Sequence, residues 1–162
     1  MSFKFTEESI QLADAAVSKY PLGRQASAVM ELLTIAQNQS KENYVTDEAI
    51  HFIAEYLSMP VIKVYEVFHF YTMYNKKPTG KYHIQICSNL SCTLRGCKNI
   101  VNKFEEQTNT KVGKLSEDKK FTISLVECLG ACDRAPVAQI NDNYYTNIND
   151  NSVVSIIDKL KD

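Results

Sequence analysis

The sequence lacks the features that define several broad classes of protein. No apolar run approaches the roughly 20 residues that a membrane-spanning helix needs, so we expect no direct insertion into a membrane. The net charge is only −1, which provides no basic surface for nucleic acid or an anionic membrane. Neither a glycine-rich dinucleotide fingerprint nor a phosphate-binding loop is present, so nucleotide cofactors should bind elsewhere.

The start of the chain also lacks a targeting signal. The segment MSFKFTEE has no apolar h-region, and it is too acidic for a transit peptide. We therefore expect a cytoplasmic chain if Met1 is the true start, with a processed organellar form as the alternative. Apolar residues make up 44% of the 162 residues and charged residues 23%, which is the balance of a soluble globular protein.

Five cysteines are present, and all lie in the second half of the chain: Cys87, Cys92, Cys97, Cys128 and Cys132. An odd number of cysteines without a secretion signal argues against a disulfide framework. No C-x-x-C pair occurs, so a thioredoxin-type dithiol has little support. Clustered cysteines in a reducing compartment favour metal or redox chemistry.

The first half of the chain is predicted to be a small helical bundle over about residues 1–78. Helices are expected from a Thr6 cap to about Lys19, over residues 25–39, from Thr46 onward and from Pro60 onward. Short helices with short polar links are typical of bundles. The segment KKPTG at positions 76–80 is predicted to be a linker.

The second half, about residues 79–162, alternates between strands and helices, so the predicted fold class is α+β. Strands are expected at residues 82–86, 121–126, 137–140 and 144–146, and helices at residues 92–106 and after Asp150. The predicted order is β-α-β-β-β-α.

The cysteine spacing is C-x4-C, 35 intervening residues, and C-x3-C. Each pair follows a predicted strand, and a helix lies between the two strands. A strand–helix–strand unit normally forms a parallel pair, whose strands end at the same edge of the sheet. We therefore expect Cys87, Cys92, Cys128 and Cys132 to meet at that edge and to share one metal centre.

Two metal centres fit this spacing. A [2Fe–2S] cluster has two irons that each need two thiolates, which two cysteine pairs supply. Four cysteines also suit a structural zinc ion, and C-x4-C is within the zinc range. Gly130, between Cys128 and Cys132, permits close backbone approach and a positive φ in a loop that wraps a cluster. Cys97 falls inside the predicted helix and is interpreted as a buried, inert residue.

The same residues carry a family resemblance. The segments CSNLSCTLRG at positions 87–96 and ECLGAC at 127–132, with Ala135-Pro136 and QIND at 139–142, are similar to the cluster motifs of the 24 kDa [2Fe–2S] subunits (E-type subunits) of respiratory complex I, NADH:quinone oxidoreductase. The helical front end, including FHFY at 68–71, is similar too. The resemblance covers about the whole chain.

The resemblance implies a thioredoxin-like [2Fe–2S] ferredoxin domain behind the helical bundle. It implies a one-electron carrier, an oxidoreductase and translocase subunit whose isolated chain has no complete active site. FMN and NADH would bind to a partner flavoprotein subunit, near the cluster, among the other subunits of the peripheral arm. The chain would then lie at the inner face of the cell membrane through the complex, or on the mitochondrial matrix side.

Two alternatives remain at this point. The sister families are the equivalent diaphorase subunits of NAD-linked formate dehydrogenases and hydrogenases, which use a similar subunit. A structural zinc module that assists assembly is the alternative from another class. The residues alone do not separate these from the complex I subunit, although the complete helical front end favours the latter.

Overall fold

The computed structural model describes residues 3–161, with the side chain of Lys161 left out. The chain divides into two compact units, Met1–Pro78 and Thr79–Asp162. Within the described residues, no helix is both long enough and apolar enough to cross a membrane.

The first unit is helical, as the sequence predicts. Its helices are α1 (Glu7–Ser18), α2 (Val29–Gln39), α3 (Asp47–Tyr56) and α4 (Val61–Phe70), with a 3₁₀ turn over Gln25–Ala28. The side chain of Thr6 accepts a hydrogen bond from the Ser9 N–H, which fixes the start of α1. Thr46 accepts from the Ala49 N–H in the same way at the start of α3.

The apolar faces of these helices build a core of their own. The fully buried members with the largest side chains are Leu32, Leu33, Ile50, Ile53 and Val64. In α2 the buried residues Val29, Leu32, Leu33 and Ala36 follow the i, i+3, i+4, i+7 spacing that places side chains on one helix face. The buried Tyr74 ends this core, and its hydroxyl donates to the Met30 carbonyl over 3.0 Å.

The second unit contains a four-stranded mixed sheet. Its strands are β1 (Tyr82–Cys87), β2 (Phe121–Val126), β3 (Ala138–Ile140) and β4 (Asn143–Tyr145). Their order in the sheet is β2-β1-β3-β4. The predicted parallel pairing of β1 with β2 is confirmed, with Cys87 opposite Val126. The other two pairings are antiparallel.

The helix predicted for residues 92–106 is wrong as a single element. The structure has a short helix α5 (Leu90–Leu94), a break, and then α6 (Cys97–Thr108). The break falls at Gly96, whose φ is 86°, in the left-handed region where a residue with a side chain is strained. Glycine therefore turns the chain here and separates Cys92 and Cys97 onto different helices.

The remaining helix, α7 (Asp150–Lys161), packs against α6 and shares a core with the sheet. The fully buried members of this core with the largest side chains are Phe104, Ile84, Ile86, Ile123, Val153 and Ile157. The helices thus cover the apolar sheet face, and the end of β1, with Cys87 and Cys92, belongs to a separate small cluster of buried residues.

Several turns adopt the left-handed conformation on asparagine rather than glycine. Asn43, Asn109, Asn141 and Asn147 have φ values of 49°, 49°, 51° and 51°. The asparagine side chain tolerates this region because it can bond to nearby backbone. Asn141, in the β3–β4 turn, also accepts from the His83 N–H through its Oδ1 over 2.9 Å.

Candidate metal centre

The structure brings the two cysteine pairs to one edge of the sheet. Cys87 is the last residue of β1, and Cys92 lies in α5 just beyond it. Cys128 comes two residues after the end of β2, and Cys132 opens a 3₁₀ turn over Cys132–Arg134. The parallel register of β1 and β2 therefore carries both pairs in the same direction, as the spacing predicts.

The two pairs differ sharply in exposure. Cys87 and Cys92 are each only 2% exposed, whereas Cys128 and Cys132 lie at the surface. The buried pair is surrounded by small apolar residues that include Ala131, Ala135 and Val137. One pair thus faces protein and the other faces solvent.

The exposed pair is held in a tight turn. The Sγ atoms of Cys128 and Cys132 are 3.3 Å apart, and the Gly130 N–H donates to the Cys128 Sγ over 3.3 Å. Gly130 has a φ of 77°, and a Cβ there would meet no atom within 4 Å. The turn therefore needs glycine for its backbone angle and not for space.

The acidity of the exposed thiols reflects this geometry. The Gly130 N–H is the main cause that holds the pKa of Cys128 below its ordinary value, while the Glu127 charge acts in the opposite direction. The hydrogen bond between the two thiols, with Cys128, is the main cause that raises the pKa of Cys132. The pair thus loses its first proton more readily than a lone thiol and its second less readily.

Burial dominates at Cys92, in the other pair. It raises the pKa of Cys92 to about 11, with a smaller contribution from the hydrogen bond to Cys87, whereas the backbone of Val137 acts to lower it. As a free thiol, Cys92 keeps its proton at neutral pH. A bound metal would have to displace that proton, because the thiolate is the ligand.

The thiols therefore stand as two pairs. Within residues 3–161, no group of three or more histidine, cysteine or acidic side chains is gathered closely enough to hold one metal ion. Two pairs on two separate segments are the donor set that the two irons of a [2Fe–2S] cluster need. The residues present fit that cofactor.

Three polar contacts that sequence reasoning missed hold the two cysteine segments. Asn89 caps α5 and donates through Nδ2 to Glu127 over 2.7 Å. The Tyr144 hydroxyl donates to the Leu129 carbonyl over 3.0 Å. The Ser88 N–H donates to the Val126 carbonyl over 3.0 Å. An asparagine before LSC is a readable helix-cap signal, but the partners depend on strand register.

Cys97 is buried at 6% exposure, at the first position of α6. Its Sγ lies 3.8 Å from the Thr93 Oγ1. The predicted burial is confirmed.

The three histidines lie apart from the cysteine pairs in their contacts. His51 bonds the Asp47 carbonyl through Nδ1 over 2.8 Å, and His69 stacks on the Tyr65 ring. The His83 Nε2 lies 2.9 Å from the Ser124 Oγ, a contact between β1 and β2. These are packing and strand-pairing contacts.

Comparisons with known proteins agree with this geometry. A family model described as thioredoxin-like [2Fe–2S] ferredoxin matches residues 13–161. The E subunit of the NADH-quinone oxidoreductase of Rickettsia conorii is 44% identical over 99% of this chain and 95% of its own length. The corresponding protein of Rickettsia prowazekii is 42% identical over 98% of this chain and 89% of its own length.

Among solved structures, an NAD+-reducing [NiFe]-hydrogenase in the H2-reduced state superposes with a TM-score of 0.70. The match covers 82% of this chain but 22% of the hydrogenase chain, at 19% identity. At that identity the likeness shows a shared fold and nothing further.

Proposed function

Because the chain belongs to the thioredoxin-like [2Fe–2S] ferredoxin family, we propose that Cys87, Cys92, Cys128 and Cys132 ligate a single [2Fe–2S] cluster. The predicted fold and cofactor are those of the family. The observation that carries the ligand assignment is the arrival of two thiol pairs at one sheet edge, on the parallel strands β1 and β2.

The chain is a one-electron carrier subunit of an NADH:quinone oxidoreductase. Relatives at 42–44% identity over nearly the whole chain are named as E subunits of that complex, and this confirms the predicted resemblance. When bound, a [2Fe–2S] cluster takes up and releases one electron at a time. The chain supplies the thiolates, the Gly130 N–H that donates to a ligand sulfur, and the apolar wall beside Cys87 and Cys92.

The resemblance to complex I subunits implies a partner flavoprotein subunit, and electron counting supports it. NADH gives up two electrons together as a hydride, whereas this cluster accepts one. A group that exchanges electrons both singly and in pairs must stand between them, and a flavin does so. Following that resemblance, we propose that FMN and NADH bind to the partner subunit, in the peripheral arm at the inner face of the membrane or on the mitochondrial matrix side. NADH oxidation by the purified chain alone would contradict this.

We propose that the two units, residues 1–78 and 79–162, have different roles. All four ligand cysteines lie in the second unit, so that unit would be the ferredoxin domain. The first unit would then be a helical domain that carries no ligand.

Metal and acid-labile sulfide analysis of the anaerobically purified protein tests the cluster directly. We expect about two irons and two sulfides per chain, and an electron paramagnetic resonance (EPR) signal after reduction by dithionite. One zinc ion, no sulfide and no signal would replace the electron carrier with a structural zinc module.

A pair of variants tests the ligand set. Cys128→Ser should change the visible and EPR spectra or lose the cluster, because it replaces a thiolate ligand. Cys97→Ser is the matched control and should keep both spectra, because Cys97 packs at the start of α6. Loss of the cluster in the Cys97 variant would instead place that residue among the ligands.

A further inference from the structure

A hydrogen bond between two side chains joins the two cysteine segments directly. The Nδ2 of Asn89 donates to the Glu127 Oε2 over 2.7 Å. Asn89 lies two residues after Cys87, and Glu127 is the residue before Cys128. The Asn89–Glu127 pair, called the loop clamp below, therefore ties one cysteine segment to the other beside the metal centre.

Both halves of the Asn89 amide have a partner, which fixes its direction. The Oδ1 accepts from the Leu90 N–H over 2.8 Å, as the cap of α5. The Asn89 carbonyl accepts from the Thr93 N–H over 2.9 Å. With Oδ1 and the backbone engaged in the helix start, Nδ2 points away from α5 and toward Glu127.

The backbone that carries Glu127 is fixed as well. The preceding residue, Val126, pairs with Cys87 in the parallel register and accepts from the Ser88 N–H over 3.0 Å. The Ser88 hydroxyl donates to the same carbonyl over 3.3 Å. An acidic side chain is thus held at a defined place, although it is exposed to solvent.

The carboxylate and the Gly130 N–H act on the Cys128 sulfur with opposite signs. The N–H, 3.3 Å from the sulfur, favours negative charge there, and the charge of Glu127, the residue that directly precedes Cys128, opposes it. We propose that the loop clamp holds the Glu127 carboxylate beside the Cys128 ligand and thereby lowers the reduction potential of the cluster, with Asn89 as the positioning residue. This inference rests on the proposed function.

The sign follows from the charge of the added electron. Reduction adds one negative charge to the centre, and a fixed carboxylate beside a ligand makes that step less favourable. Because Glu127 is exposed, water and salt screen most of its field. We expect removal of the charge to favour the reduced form three- to tenfold, or about 30 to 59 mV for one electron.

Glu127→Gln isolates the charge from the bond, because the amide oxygen still accepts from Asn89. We expect a higher midpoint potential in an EPR-monitored redox titration of the full chain, with unchanged iron and sulfide content. Glu117→Gln is the matched control. It makes the same change of net charge at an exposed residue beyond the other end of β2, roughly 20 Å along the strand.

Asn89→Ser tests the positioning role. Serine keeps the helix cap but is too short to reach Glu127. The carboxylate should then swing into water, so the potential should rise, by less than in Glu127→Gln. In the double variant, Asn89→Ser should add almost nothing to Glu127→Gln, because it acts only through that charge.

The outcomes separate the clamp from the cluster. If the wild-type chain contains no iron and sulfide, the proposed function is wrong, and so is the proposed role of the loop clamp. A normal cluster whose potential is the same in Glu127→Gln and wild type, or shifts equally in Glu117→Gln, would remove the clamp alone. If Glu127→Gln fails to hold the cluster, Asn89→Ser decides, and an unchanged potential there would overturn the proposal.

Discussion

His83 is a half-buried titratable residue on the sheet of the second unit. It lies on β1, and its Nε2 is 2.9 Å from the Ser124 hydroxyl on β2. Burial lowers its pKa below the ordinary histidine value, because the charged form loses its hydration. The folded chain therefore favours neutral His83, whereas the unfolded chain takes up a proton near pH 6.5.

We predict that this histidine costs stability in mild acid. As the pH falls below about 6.5, His83 binds a proton more readily in the unfolded state than in the folded state. The free energy of unfolding therefore decreases by up to ~1.4 kcal/mol per pH unit. The loss stops once the pH reaches the lowered pKa of the folded state. His83→Gln should flatten this part of the profile, measured as thermal-unfolding midpoints between pH 7.5 and 5.5.

His51→Gln, at an exposed position on α3, serves as the control for loss of a histidine. A wild-type profile that His83→Gln leaves unchanged would exclude His83 as the source of the pH dependence.

At the residue scale, the candidate ligands could be predicted from spacing, because C-x4-C and C-x3-C after two strands constrain where the thiols go. The contacts of Asn89, Glu127 and Tyr144 could not. They depend on the register that sets Cys87 opposite Val126, and on a turn that brings β4 near Leu129. β1 and β2 are parallel and joined by a long crossover, so no tight turn in the local sequence fixes which residues lie opposite each other.

Among the elements, the segment leading into β1 depends on one glycine. The Gly80 N–H donates to the Thr122 Oγ1 over 2.8 Å, and Gly80 is buried. A Cβ at this position would lie 2.7 Å from the Lys120 carbonyl carbon and from the Phe121 nitrogen. These are backbone atoms at the start of β2, so no side-chain movement relieves the clash.

We predict that Gly80→Ala destabilises the chain by about 2–3 kcal/mol, because the two segments must move apart. Gly113→Ala is the matched control. Its Cβ would meet no atom within 4 Å, so only its φ of 77° opposes the change, at a cost of about 1–2 kcal/mol. Urea unfolding of both variants gives the comparison, and a smaller loss for Gly80→Ala would refute the steric explanation.

The elements show where periodicity suffices and where it fails. Helices α1 to α4 and strands β1 and β2 were predictable, because their apolar residues repeat at the period of each structure. The division at Gly96 was missed, since the polar and apolar pattern runs on through it and only the backbone angle marks the break. The short strands β3 and β4 are each shifted from their predicted bounds by a residue or so, which is usual for short elements.

For the whole molecule, two separate cores are the main feature. The core of Leu32, Ile50 and Val64 belongs to the first unit, and the core of Ile84, Phe104 and Ile157 belongs to the second. Each unit also completes its own secondary structure, since the four-stranded sheet draws all its strands from residues 82–145.

We predict that a chain starting at Thr79 folds alone and binds the cluster, because a unit with its own core is the usual definition of a domain. Its visible and EPR spectra after cluster assembly should match those of the full chain. A shortened protein that is unfolded by circular dichroism, or that binds no iron, would show that residues 1–78 are needed for folding.

The asparagine residues in left-handed turns also affect the denatured state of the chain. The chain has only five glycines, and Asn43, Asn109, Asn141 and Asn147 occupy left-handed turns that glycine would enter more freely. Glycine also has the most accessible backbone conformations in a denatured chain, so ordering each glycine costs more entropy. Because asparagine occupies these turns, the denatured chain has fewer accessible conformations. Folding therefore costs less entropy, and part of the protein's stability comes from this restriction of the denatured state.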